Sequence, residues 1–209
     1  MTDFDALARD WDSDPKKVER ARAVAHEIRT RVRLSRTMTA LEYGCGTGLL
    51  SFALRPFLGS ITLADTATGM LSVLKDKIEA AGAKNMTPMK LDLSTDPPPS
   101  AQYDLIYTLM TLHHVPDTEK LLRQFYLLLK ETGALCIGDL DKEDGSFHGM
   151  DSTVHKGFHR GALKQQVLSI GFGRAEFYPC YTITKKTNAT VKTFPLFLMV
   201  AEKQGCGSF

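Results

Sequence analysis

The sequence predicts an α/β fold: a doubly wound, mostly parallel sheet with helices on both faces. Three observations lead there. Between residues 38 and 139, extended apolar runs alternate with runs of helical period, as expected for a parallel sheet covered on both sides. The first strand-to-helix junction, LEYGCGTG at 41–48, carries glycine at every second position. After Asp139 the rhythm stops, and a polar stretch and one more helix lead to two long extended runs.

Each element has a local reason. Asp14-Pro15 starts a helix, with a cap acceptor followed by proline in the first turn. Val18, Ala21, Val24, Ala25, Ile28 and Val32 share one face of it. The other face is basic, with Lys16, Lys17, Arg20, Arg22, Arg29, Arg31, Arg33 and Arg36, and reads as solvated. A strand over 38–43 is followed by a helix over 49–58 that ends near Gly59, then a strand over 60–64. The helix over 69–81 buries Met70, Leu71, Val73, Leu74 and Ile78 and stops at Gly82. A third strand over 86–91 is an edge strand because of Pro88, and Pro97 to Pro99 mark a loop. A buried strand over 103–109 precedes a helix over 118–129 that Lys130 and Gly133 close, and a fifth strand covers 134–139.

Residues 141–157 are polar and without period. A helix over 161–170 ends on Gly171-Phe172. Strands over 178–185 and 194–203, joined by a loop at 186–189, form an antiparallel pair, and 205–209 is a disordered tail. The chain divides into an N-terminal helical segment (1–37), a main domain (38–204) and the tail (205–209).

The whole-chain numbers narrow the function classes. Hydrophobic residues make up 43% and charged residues 24%, as in an ordinary globular protein. With 26 Lys+Arg against 24 Asp+Glu, the net charge of +2 is too balanced to make nucleic acid the default partner, and none is expected. Cys45, Cys136, Cys180 and Cys206 form no CxxC pair and share no metal-ligand spacing with histidine, so they read as reduced thiols. The acidic start MTDFDALARDWDSD is not a signal peptide, and no run of 18 apolar residues occurs. A cytoplasmic protein with no membrane span is expected.

Glycines at 44, 46 and 48 imply a tight turn or the close approach of a ligand. A dinucleotide fingerprint starting at Gly44 needs its third glycine where Leu49 stands. A phosphate-binding P-loop needs Gly-Lys-Ser/Thr, and Gly48 is followed by Leu49-Leu50. What remains is acidic-x-Gly-x-Gly-x-Gly, led by Glu42.

At these residues the sequence resembles the class I S-adenosylmethionine-dependent methyltransferases, above all the small "type 11" group that includes the ubiquinone-biosynthesis C-methyltransferases. Further matches carry the resemblance: Asp65 at the end of the second strand, DTATGMLSVLKDK after it, LDL at 91–93, and YDLIYTLMTLHHVPD at 103–117. The resemblance implies a Rossmann-like, seven-stranded sheet of order 3-2-1-4-5-7-6 with one antiparallel strand and an N-terminal lid. It implies S-adenosylmethionine as cofactor and S-adenosylhomocysteine as product. Asp65 would accept from the ribose hydroxyls, with Thr66 beside it, and Met70 would pack on the adenine. Asp92 would face the adenine amino group with the Leu93 backbone nearby. Glu42 would suit the ammonium group, and Gly44, Gly46, Gly48 and Leu109 would complete the cofactor surface.

The reaction implied is an in-line displacement at the sulfonium methyl, in which alignment and water exclusion do most of the work. An oxygen or nitrogen acceptor would also need a base. Candidate catalytic residues are His113, His114, Asp139 and His148, with Asp141, His155 and His159 nearby. His113 and His114 are common to the wider family and also read as structural or cofactor-adjacent. The stretch DLDKEDGSFHGMDSTVHKGFH at 139–159 has the character of a functional loop. Asp139, Asp141 and His148 could ligate a metal, but Gly157 argues against a helix that would pair His155 with His159, and no metal is expected.

No Asn/Asp-Pro-Pro-Tyr follows strand four, and Pro179-Cys180 lies on strand six rather than after strand four. Both points favour a small-molecule acceptor over nucleic acid. Phe4 and Trp11, ahead of the basic helix, read as a lid over the pocket or as hydrophobic anchors. The competing functions are a nicotinamide-dependent oxidoreductase, against which Leu49 speaks, and a catalytically silent S-adenosylmethionine-binding protein.

Overall fold

The computed structural model describes residues 3–149, 153–187 and 190–203. Its strands are β1 (Thr39–Tyr43), β2 (Ser60–Asp65), β3 (Met86–Lys90), β4 (Tyr103–Leu109), β5 (Leu129–Leu140), β6 (Phe172–Thr187) and β7 (Thr190–Lys203). They form one seven-stranded sheet of order β3-β2-β1-β4-β5-β7-β6. Pairing from β3 through β5 is parallel, and β7 runs antiparallel to both β5 and β6. This is the expected topology. Pro88 sits on β3, an edge strand, where a missing N–H is tolerated.

The helices are α1 (Phe4–Leu7), α2 (Pro15–Arg31), α3 (Leu49–Leu54), α4 (Thr68–Ala80), α5 (Thr118–Leu128) and α6 (Arg160–Ile170). Asp14 caps α2 by accepting from Lys16 N–H at 2.9 Å. Ala21, Val24, Ala25 and Ile28 of α2 join Leu50 and Leu54 of α3 and Leu71 and Leu74 of α4 over one face of the sheet. Leu121, Leu122 and Phe125 of α5 and Leu163 and Val167 of α6 cover the other. With both faces buried, β1 and β4 have no room for the polar alternation of a half-exposed strand.

Some expected boundaries move. Helix α3 stops at Leu54, and Arg55–Phe57 tightens into a 3-10 turn, because Pro56 has no N–H to continue the α ladder. Lys130 and Gly133 do not close α5: the chain enters β5 at Leu129, and Gly133 has no room for a Cβ, which would lie 2.9 Å from Leu129 Cδ2. The register to β4 shifts there, between Tyr103↔Leu129 and Leu105↔Ala134. The closing hairpin is longer than its apolar runs, 16 residues in β6 and 14 in β7, so Lys186 and Thr187 belong to a strand. Its far end buries Ile183, Phe194 and Leu196 with Leu140 and Phe147 in a separate small core. That core holds the start of the 141–149 loop against the sheet.

Asn188 and Ala189 of the predicted loop, residues 150–152 of the polar stretch, and the tail 205–209 with Cys206 lie outside the described residues. Among the described residues, Cys45, Cys136 and Cys180 are free thiols, and no helix is long and apolar enough to cross a membrane.

Candidate active site

The glycine turn joins β1 to α3. Gly44, Gly46 and Gly48 have φ of 70°, 52° and 79°, a left-handed region that L side chains avoid. A Cβ at Gly44 would lie 2.3 Å from Thr111 Cγ2, and one at Gly48 would lie 2.6 Å from Leu74 Cδ1. At Gly46 nothing stands closer than Met70 Sδ at 3.8 Å, so two glycines serve close packing and the middle one opens on space. Asp65, ending β2, pins this turn: Oδ2 accepts from Gly46 N–H at 2.6 Å and Oδ1 from Ala67 N–H at 2.9 Å.

A cavity of about 1090 Å³ lies there, outside the carboxyl ends of β1 to β4. Of the predicted cofactor residues, Glu42, Gly44, Gly46, Asp65, Thr66, Met70, Asp92, Leu93 and Leu109 line it. Gly48 instead packs against Leu74 and caps α3. Asp92 is held by Ser94, whose N–H and hydroxyl donate to Oδ1 at 2.9 and 2.6 Å. The Leu93 N–H, expected beside the adenine, donates to the Tyr43 hydroxyl at 3.2 Å.

Glu42 is 2% exposed at the cavity floor, where Ser51 Oγ donates to it and also meets the Tyr107 hydroxyl at 2.6 Å. Burial pushes its carboxyl up to about 8, only partly opposed by the Ser51 bonds. An acid raised in the folded state binds its proton more tightly there than in the unfolded chain. Its contribution to stability is therefore fully present below the unfolded value of 4.5 and is lost as pH rises through about 8. Urea unfolding of the ligand-free protein is expected to show a fall on the order of 5 kcal/mol from this group across that window. Glu42→Gln should flatten the slope, and an unchanged slope would mean that Glu42 ionises freely.

Beyond the glycine turn the cavity wall is histidine-rich. The 3-10 turn Leu112–His114 after β4 carries His113, which is 0% exposed. Its Nδ1 lies 2.6 Å from Asp139 Oδ1, and its backbone N–H donates to Asp139 Oδ2 at 3.2 Å. Leu140 N–H also donates to Asp139, at 2.7 Å. Asp139, a candidate catalytic group, is thus fully buried behind His113 and does not itself line the cavity. His114 stacks on His113 with centroids 4.1 Å apart and takes the edge of Phe4 at 5.3 Å. His148, from the 141–149 loop, completes the group on the cavity wall.

The other candidates do structural work. Asp141 is taken by Arg160 through two bonds of 2.6 Å. His155 ties the polar stretch to the end of β4: its N–H donates to the His113 carbonyl at 2.8 Å and its Nε2 to that of Val115 at 2.9 Å. Residues 155–159 are not helical, as Gly157 suggests, and His159 is the exposed residue ahead of α6. Cys180 packs in β6, its thiol pushed up to about 12 by burial.

Several cavity residues escape sequence reasoning. Arg20, on the basic face read as solvated, stands on the wall with Lys16 and Lys17. Its Nε is buried with no hydrogen bond among the described residues, and burial lowers the guanidinium pKa. Tyr181, Ile183 and Lys185 reach the wall from the extended β6. Met110 follows β4 at φ 56°, the left-handed region that its side chain disfavours. The only signal for Arg20 was a basic face, and for Met110 none.

The N-terminal segment crosses this region. Asp5 accepts from Gly69 N–H at 2.5 Å, and Asp12 bonds both the Thr47 hydroxyl and Lys77 Nζ. Trp11 faces the glycine turn, its Nε1 3.9 Å from where a Gly46 Cβ would be, with Lys17 Nζ 3.7 Å over its ring.

Residues 40–133 match the methyltransferase domain family. An uncharacterised methyltransferase of Schizosaccharomyces pombe is 31% identical over 145 residues, which is 64% of this chain and 51% of that one. A ubiquinone biosynthesis O-methyltransferase of Marinobacter nauticus is 32% identical over 111 residues, 52% and 46% of the two chains. The chain spans about half the length of these curated relatives. A solved S-adenosylmethionine-dependent methyltransferase of Clostridium acetobutylicum shares the fold with a TM-score of 0.73 at 15% identity, covering 97% of this chain and 99% of that one. Residues 40–133 thus carry a methyltransferase-type domain on a Rossmann-like fold, with the glycine turn opening on the cavity. The family match and the sheet order agree with the resemblance to class I S-adenosylmethionine-dependent methyltransferases read from the sequence.

Proposed function

We propose that the chain transfers a methyl group from S-adenosylmethionine to a small-molecule acceptor by in-line displacement, and that 1–37 serves as lid to the 38–204 domain in a cytoplasmic setting. One observation carries the reading: the Asp65 carboxylate, fixed by Gly46 N–H, faces a cavity that continues to the histidine wall. When bound, S-adenosylmethionine supplies a methyl group on a positively charged sulfur. The residues suit a nucleoside without phosphates. A carboxylate offers about four lone-pair sites; Gly46 and Ala67 occupy one on each Asp65 oxygen, which leaves capacity for ribose hydroxyls. Met70 and Leu109 give apolar walls for a flat base, and Asp92 an acceptor for its amine. Leu49 lines the cavity where a dinucleotide fold keeps glycine against a diphosphate.

At the other end His113, oriented by Asp139, stands with His114 and His148 on the wall where the acceptor would sit. Phe4 and Trp11 close the cavity and exclude water. The relatives' names, ubiquinone biosynthesis O-methyltransferase, support oxygen as the receiving atom.

Thermal melting with S-adenosylhomocysteine, S-adenosylmethionine and NADH tests the reading. At a hundredfold excess over Kd, S-adenosylhomocysteine should raise Tm by roughly 5–10 °C. Stabilisation by NADH alone overturns it.

A further inference from the structure

Three histidines from two distant parts of the chain converge on the cavity wall. One nitrogen from each of His113, His114 and His148 lies within 4.8 Å of the other two. Ring centroids are separated by 4.1, 4.9 and 5.1 Å. His113 is the informative member. It is fully buried, and its Nδ1 is committed to Asp139 at 2.6 Å. A carboxylate so placed accepts from Nδ1–H and holds the proton on that nitrogen, which leaves a lone pair on Nε2. That Nε2 is buried with no hydrogen-bond partner among the described residues, in a ring on the cavity wall.

The geometry points to a divalent transition-metal site made by His113, His114 and His148, with Asp139 as positioning residue. Metal-binding imidazoles typically give their second N–H to a carboxylate, which fixes the tautomer and raises ligand basicity. Neutral imidazoles suit zinc, and zinc–nitrogen distances of about 2.0–2.1 Å put tetrahedral ligand atoms about 3.4 Å apart. The rings here need to close by roughly an ångström. His148 lies between Gly145 at φ 94° and Gly149 at φ 65° in an otherwise irregular loop. Asp141, which sequence reasoning grouped with Asp139 and His148 as a ligand, is occupied by Arg160. Three neutral ligands leave an open coordination position and the ion's full charge, which would hold an acceptor oxygen or nitrogen and lower its pKa.

This goes beyond the methyltransferase reading and is tested without it. The untagged full chain, stripped by a chelator, is titrated with Zn²⁺ against a chromophoric competitor, and with Co²⁺ for the visible absorption of a tetrahedral site. One equivalent of Zn²⁺ is expected to bind with micromolar or tighter Kd. His148→Gln, on a surface loop, should weaken it at least tenfold and remove the Co²⁺ bands. Asp139→Asn should weaken it by about 10–100-fold. Absence of stoichiometric binding, or full binding by His148→Gln, overturns the site. S-adenosylhomocysteine affinity, measured on the same sample, reports on the methyltransferase reading separately.

Discussion

Asp65→Ala is expected to lower affinity for S-adenosylhomocysteine by a factor of about a hundred or more. Two charge-assisted hydrogen bonds to ribose hydroxyls, at about 1.5–3 kcal/mol each, would be lost. The same carboxylate also accepts from Gly46 and Ala67 N–H, so the variant should lose about 1–3 kcal/mol of stability while remaining folded. Asp65→Asn separates the two effects. Its amide oxygen can still accept from Gly46, so stability returns further than affinity. Calorimetric titration reads affinity and urea unfolding reads stability. Near-normal binding by Asp65→Ala would mean that the ribose is held elsewhere.

Gly44→Ala should be the most damaging single methyl in the glycine turn. The new Cβ would lie 2.3 Å from Thr111 Cγ2 and Oγ1, at a φ of 70°. Left-handed backbone costs about 1–2 kcal/mol for an L residue, and overpacking typically adds about 1–3 kcal/mol. A loss of about 2–5 kcal/mol is expected in urea unfolding. Gly46→Ala is the contrast. Its Cβ meets nothing within 3.8 Å, so stability should fall by only about 1–2 kcal/mol. Its effect should appear instead in ligand affinity, because the methyl enters the cavity. Equal stability losses at the two positions would contradict this division of labour.

Much of the fold was legible because period and punctuation agreed. Asp14-Pro15, Gly82 and Gly171 each mark a boundary close to the observed one, and Pro88 marks the edge strand. That Glu42, Asp65 and Asp92 converge on one cavity was legible because they sit at strand ends within a short span, where spacing implies proximity. The rest was obscured for physical reasons. The first part of β6 carries Arg174 and Glu176, paired at 2.7 Å on the edge of the sheet, which mask the strand. Gly133 looked like a helix stop, but it is required by the tight approach of Tyr103 and Lys130 carbonyls inside β5. A helical wheel separates the basic face of α2 from its apolar face, but not Arg20 from its exposed neighbours. His148 meets His113 through the buried hairpin end, a contact between parts of the chain with no local pattern in common.

The segment ahead of α2 has a kinetic consequence. Beside the ring contacts of Phe4 and Trp11, its hydrogen bonds run from Asp5 to Gly69 and from Asp12 to Thr47 and Lys77. Each can exchange with water, so the strap can lift without disturbing the cores beneath the sheet. A molecule seated under Trp11 leaves no faster than those ties open. Under the lid reading proposed above, turnover has a ceiling set by Asp5 and Asp12 rather than by the grip on the nucleoside, and added salt should raise it.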